Sequence, residues 1–136
     1  MIKKLQVSTK KRIEIVNLTD DVKKAVRDSK VRSGICNVYT KHTTSAITIN
    51  ENEDINIRDD LLDSLNFLKR GIWRHDKRCE RTNGDAHIKA TLIGPSETIP
   101  IMDGELVLGK YQDIYFCEFD GPRESREIII SVIKDQ

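Results

Sequence analysis

The residues that most restrict the fold of this chain run from Glu127 to Ile133, Glu-Ile-Ile-Ile-Ser-Val-Ile. Ile128, Ile130 and Val132 alternate with Ile129, Ser131 and Ile133, so an extended backbone here is apolar on both faces. β-branched side chains pack well on a pleated surface, which favours a strand. A strand of this kind has to lie in the centre of a sheet or be covered on both sides.

The preceding segments supply neighbours for it. Residues Ile2 to Ser8 alternate and read as one strand, and Arg12 to Leu18 as another. Lys10-Lys11 between them predicts a hairpin turn. Thr19 reads as an N-cap, with Asp20 and Asp21 in the first turn of a helix over 20–29, where carboxylates favour the helix dipole. Gly34 then breaks the chain before a central strand pair around Tyr39 to Asn52. Ile57, Leu61, Leu65 and Leu68 recur at helical spacing with Leu62 beside them, predicting a second helix of nearly four turns that Gly71 ends. Asn83 or Asp85 can cap a short helix from Ala86 to Leu92, stopped by Gly94-Pro95. Strands follow over Thr98 to Met102, Glu105 to Leu108 and Asp113 to Phe119, with Asp103-Gly104 as a hairpin turn and Asp120-Gly-Pro-Arg as the last turn.

With 136 residues, one domain over 1–136 is expected. The net charge is only +1, so no global basic field favours nucleic acid. No apolar run approaches the roughly 20 residues of a membrane helix, and the N-terminus lacks the apolar core of a signal peptide. Cys36, Cys79 and Cys117 are an odd number at wide spacing, which is not a disulfide framework. A cytoplasmic location with reduced thiols is expected, Cys36 and Cys117 buried in strands and Cys79 reactive in a loop.

Two stretches interrupt this pattern. Lys41-His-Thr-Thr-Ser45 places an imidazole and three hydroxyls in four residues between strand-like segments, and such groups ask for hydrogen-bond partners or a ligand. The plainer alternative is a turn whose hydroxyls bond the backbone. Residues 70–86 are irregular, contain Trp73 and His75, and are locally basic through Arg70, Arg74, Lys77, Arg78 and Arg81. They are either a solvated loop or a lid that gathers an anionic substrate. All three histidines, His42, His75 and His87, fall in polar interruptions and none on an apolar stripe.

The series Lys-His-Thr-Thr-Ser-Ala, Asn-Glu-Asn-Glu-Asp, Trp-Arg-His-Asp, Asn-Gly-Asp-Ala-His-Ile-Lys-Ala, Gly-Pro-Ser, Ile-Pro-Ile and Asp-Gly-Pro-Arg, in this order, resembles the YjbQ family over essentially the whole chain. The resemblance implies an α+β fold with a large, mostly antiparallel β-sheet or sandwich and two to three helices, assembled as a homotrimer. It also implies a polar histidine pocket at or near subunit interfaces. The family's provisional name, secondary thiamine-phosphate synthase, hints at a phosphorylated metabolite.

The expected pocket is built on His42 and His87, with His75 closing it from the loop. Thr43, Thr44 and Ser45 would supply hydroxyl contacts. Glu51 would act as general base or orient a histidine. Asn83, Asp85 and Ser96 would line the entrance, and Arg123 would either clamp a phosphate or form a salt bridge across the trimer. His42, His75 and His87 together would hold zinc or another divalent metal, although spacings of 33 and 12 residues match no local metal motif. Either an enzyme acting on a small phosphorylated metabolite or a non-catalytic metabolite- or metal-binding trimer fits these residues.

Overall fold

The computed structural model describes all of residues 1–136. Eight strands and three α-helices follow one another in chain order: β1 (Ile2–Thr9), β2 (Glu14–Asn17), α1 (Thr19–Ser29), β3 (Gly34–Thr40), β4 (Ser45–Glu51), α2 (Ile55–Ser64), α3 (Gly84–Ile93), β5 (Ser96–Met102), β6 (Glu105–Leu106), β7 (Gln112–Glu118) and β8 (Arg123–Lys134). A single 3-10 turn, Arg74–Lys77, lies between α2 and α3. The strands form a five-stranded sheet, β1-β8-β3-β5-β6, and a three-stranded sheet, β2-β7-β4. Every pairing is antiparallel.

The closing strand β8 is central, hydrogen-bonded to β1 on one side and β3 on the other. Its inner row, Ile128, Ile130 and Val132, is buried. That row meets Ile47, Ile114 and Phe116 of the second sheet, and Val22, Ala25 and Val26 of α1 complete the core. The outer row is not covered within the chain: Ile133 is 55% exposed. The doubly covered strand is β7 instead. Its Cys117, with Phe119 just beyond, faces a second apolar cluster containing Ala86 and Ala90 of α3, Leu65 and Leu68. The order of layers is therefore large sheet, small sheet, helix, with α1 packed at one end of the sandwich.

β3 and β8 approach so closely that a Cβ on Gly34 would lie 1.9 Å from the Ile133 carbonyl oxygen, which only glycine avoids. Cys36 and Cys117 are buried, and burial pushes their thiols up to about 11 and about 12, so neither forms a thiolate near neutral pH. Cys79 is half-buried. No helix is long and apolar enough to cross a membrane.

Four local expectations are corrected. Lys10-Lys11 makes no hairpin, because β1 and β2 belong to different sheets and the chain crosses between them there. Thr19 is not the N-cap. Leu18 holds that position, the Asn17 side chain accepts the Thr19 N–H at 2.9 Å, and the Thr19 hydroxyl accepts the Ile114 N–H at 2.8 Å, stitching α1 to β7. α2 ends at Ser64 and buries no residue, while Leu65 and Leu68 pack just after it. The predicted strand over Glu105 to Leu108 shrinks to Glu105–Leu106.

Candidate functional site

Strands β3 and β4 belong to different sheets, and the polar block between them is the corner where the chain passes from one to the other. A corner cannot satisfy its backbone through ladder bonds, so its hydroxyls take over. The Thr40 and Ser45 hydroxyls lie 2.8 Å apart, and Thr40 Oγ1 accepts the His42 N–H at 3.4 Å. The buried Thr44 hydroxyl accepts from Arg126 Nη2 at 2.9 Å, and its carbonyl accepts the Phe119 N–H. Thr44 is thus part of the fold, whereas Thr43 is exposed.

His42, Thr43 and Ser45 line a cleft of about 290 Å³, shared with Tyr39, Lys41 and Thr91 of α3. His42 Nε2 accepts the Glu127 backbone N–H at 3.0 Å. An accepting Nε2 leaves the neutral ring with its proton on Nδ1. Desolvation, then the charges of Arg126, Lys41 and Arg123, hold the His42 pKa below the usual histidine value, against a smaller opposing pull from Glu118. The cleft therefore presents a neutral imidazole, with the Lys41 ammonium beside it paired to Glu127 at 3.1 Å.

The sign of the resulting pH dependence follows from linkage. The folded state resists protonation of His42 while the unfolded chain accepts a proton near 6.5. The contribution of the neutral imidazole is present above the unfolded pKa and is lost as pH falls from there through the lower folded value. Urea titrations between pH 8 and pH 5 should show wild-type stability declining across that window. His42→Gln, which keeps an acceptor without titrating, should decline less. Equal declines would exclude His42 as the titrating group.

His75 and His87 form a second centre. Their rings pack edge to face with centroids 4.7 Å apart. His75 Nε2 lies 2.7 Å from Asn83 Oδ1, and Asn83 Nδ2 donates to Asp120 Oδ2 at 2.8 Å. The carboxylate fixes the asparagine amide, so Asn83 Oδ1 accepts a hydrogen bond from the Nε2–H of His75. Burial pushes Asp120 up, but hydrogen bonds from Arg81, Asn83 and Arg123 and the Arg81 charge outweigh it and bring the carboxyl below its usual range. Asp76 anchors the loop: its Oδ1 accepts the Gly84 N–H at 2.7 Å and its Oδ2 the Trp73 N–H at 3.1 Å. Trp73 closes the turn by donating Nε1–H to the Lys69 carbonyl at 2.7 Å.

The two centres share α3. Thr91 of the cleft donates its hydroxyl to the His87 carbonyl at 2.8 Å, one helical turn away. His42, His75 and His87 do not come together within the chain: no three His, Cys, Asp or Glu side chains are grouped to hold a metal ion. Nε2 of His42 and of His75 are also already in hydrogen bonds, so within one chain the three histidines do not form a zinc site.

Other expected residues fall elsewhere. Glu51 ends β4, six residues from Ser45 and so about 20 Å away along the strand. It cannot serve His42 of its own chain, and its carbonyl accepts from the Tyr115 hydroxyl at 3.0 Å. Asp85 is buried rather than at an entrance, paired with Arg12 at 2.9 Å and Lys89 at 3.0 Å. Those two hydrogen-bonded cations overcome burial and bring its carboxyl below its usual range. Ser96 is half-buried at the start of β5, opposite Tyr39. Arg123 donates Nε–H to the Asp120 carbonyl and Nη2–H to its carboxylate, so it is tied to that turn rather than standing free as a clamp. Of the loop cations, Arg81 binds Asp120 and Arg70 reaches the Arg81 carbonyl.

The sequence reasoning missed the buried pair Glu118–Arg126 and the role of Asp120. Their signal was positional: Glu118 continues the inward row of Ile114 and Phe116, and Arg126 the row of Ile128 and Ile130.

These features define an antiparallel α+β sandwich with a polar cleft at a strand corner. The chain belongs to the YjbQ-like family: the family model described as UPF0047 protein YjbQ-like matches residues 3–135. It is 43% identical over 136 residues to a UPF0047 protein of Methanocaldococcus jannaschii, covering 100% of this chain and 96% of the relative. Among solved structures it is similar to a YbjQ-like protein of unknown function from Sulfolobus solfataricus, with TM-score 0.94, 32% identity, and coverage of 99% of this chain and 97% of the other. A yjbq/upf0047 family protein from Clostridium acetobutylicum, described as uncharacterized, has TM-score 0.88 and 40% identity over 96% of this chain and 99% of its own. The thiamine-phosphate synthase name finds no support in these matches.

Proposed function

We propose that this chain is a small-molecule enzyme acting on a phosphorylated metabolite in the His42 cleft, assembled as a homotrimer. The observation that carries the reading is a neutral imidazole, its Nδ1–H left for a ligand, in a cleft of about 290 Å³ that Lys41 also lines, with Lys41 paired to Glu127 at 3.1 Å and Arg126 and Arg123 paired behind it to Glu118 and Asp120. The Nδ1–H of His42 and the half-exposed Lys41 ammonium can both donate hydrogen bonds to an anionic group bound there. His87, one turn along α3 from Thr91, packs edge to face on His75, which Asn83 and Asp120 orient. The Ser45 and Thr43 hydroxyls supply neutral contacts.

The test combines binding with turnover. An NMR titration of His42 in the free protein should show a pKa below 6.5, and added inorganic phosphate should raise it, because an anion offsets the surrounding cations. Incubation with a panel of phosphorylated metabolites, followed by mass spectrometry, should show consumption of at least one. That consumption should fall about 10²- to 10³-fold in His42→Ala, the usual cost of losing one hydrogen-bond donor to developing negative charge. A ligand bound but never consumed would favour the non-catalytic trimer. A His42 pKa indifferent to phosphate, with no compound bound, would end the reading.

A further inference from the structure

A larger cleft, of about 480 Å³, lies at the opposite end of the sandwich from the His42 corner, between α1 and the chain that links β6 to β7. Lys23 and Arg27, four residues apart on one face of α1, line it together with Lys110. None of these three cations forms an ion pair with any carboxylate of the chain. One lining carboxylate, Asp113, is already occupied: its oxygens accept from the Asn17 and Asn52 amides at 2.7 and 3.2 Å. The other, Glu105, has no cationic partner. Lys110 lies 5.3 Å from the Tyr111 ring centroid, which supports the ammonium without neutralising it. The remaining wall is mostly polar.

A cleft of this size suits a small ligand. Unpaired cations call for an anionic group, while Glu105 and the amide atoms left over from internal bonds, Asn52 Oδ1 and Gln112 Nε2, call for donors and acceptors such as hydroxyls. The apolar part of the wall is only Val26, Leu106 and Leu108, too little for a hydrophobic ligand. We infer that this cleft is a second ligand site, distinct from the His42 pocket, that binds a small polyhydroxylated phosphate of the sugar-phosphate class. The phosphate lies against Arg27, Lys23 and Lys110, and the hydroxyls face Glu105 and the amides.

The experiment is calorimetric titration of the intact protein with ribose 5-phosphate, with ribose and inorganic phosphate as separate arms. Ribose 5-phosphate should bind at least tenfold more tightly than either fragment. Arg27→Ala with Lys110→Ala should weaken it at least tenfold, and His42→Ala should leave it unchanged. These side chains are exposed and unpaired, so the double variant should melt within a degree or two of wild type. Failure of ribose 5-phosphate to bind at millimolar concentration, or binding that survives the double variant, would overturn the inference. Binding lost in His42→Ala alone would assign the ligand to the other cleft.

Discussion

Glu118→Ala should lower the free energy of unfolding by about 3–5 kcal/mol, the usual cost of leaving one partner of a buried ion pair alone. Glu118 and Arg126 are 0% and 2% exposed. Arg126 Nε donates to Glu118 Oε1 at 2.9 Å, and Nη2 makes a second bond to Oε2. Thr9 donates to Oε1 at 2.8 Å and the Asp120 N–H to Oε2 at 3.2 Å, so the carboxylate gathers four donors. After truncation, the guanidinium would keep only Thr44 as an acceptor in a dry interior. The double variant Glu118→Met with Arg126→Met removes both charges and should recover most of the loss, because apolar replacements of similar volume are often neutral or better there. Denaturant titration of the three proteins at pH 7 measures this. A single-variant loss below about 1 kcal/mol would mean that Arg126 reaches water instead.

Much of the fold was legible because the β-periodicity was strong where it mattered. The alternation in Ile128 to Ile133 called for a strand either central or covered on both sides, and β8 is central; Asp103-Gly104 marked a turn with φ of +53 and +81° at its two residues. Strand partners were less legible. Residues Arg12 to Leu18 alternate as well as Ile2 to Ser8, yet local pattern says nothing about which sheet a strand joins. The α2 stripe misled because the same leucines that match helical spacing are buried by a turn after Ser64, not by the helix.

The site was legible in residue type but not in grouping. His42, Thr43 and Ser45 share a cleft, as expected from four polar residues at a strand interruption. Glu51 follows so soon in sequence that it looks adjacent, but an extended strand carries it to the far end of the molecule. Asp85 and Arg123 read as free charges because their partners, Arg12 and Asp120, are either remote in sequence or hidden in a turn. Buried carboxylates need cations, and Arg12 and Arg126 are the ones that reach Asp85 and Glu118.

Ile35→Asp together with Ile133→Asp should convert the proposed trimer into single chains. The two residues face each other across β3 and β8 and are 42% and 55% exposed. On the same outer face stand Ile2, Tyr39 and Met102, at 73%, 41% and 62% exposed, while no helix of the chain covers that side. Asn37 and Ser131 stand among them, yet five large apolar residues over four strands of one face are more than a monomer usually leaves in water, and a closed assembly of identical subunits is the simplest cover. Burying each isoleucine is worth about 1.5–3 kcal/mol, and a buried unpaired carboxylate costs more, so the pair should weaken assembly by many orders of magnitude. The folded subunit should tolerate the change, because both side chains already meet solvent there. Light scattering coupled to size exclusion at micromolar concentration should give three times the chain mass for wild type and a single chain mass for the variant. Tyr39 stands on this face and also lines the His42 cleft, so the variant should lose phosphate binding at His42 as well. A monomeric wild type, or a double variant that stays trimeric, would refute the assembly. A monomeric variant that still binds phosphate at His42 would show the cleft complete in one chain.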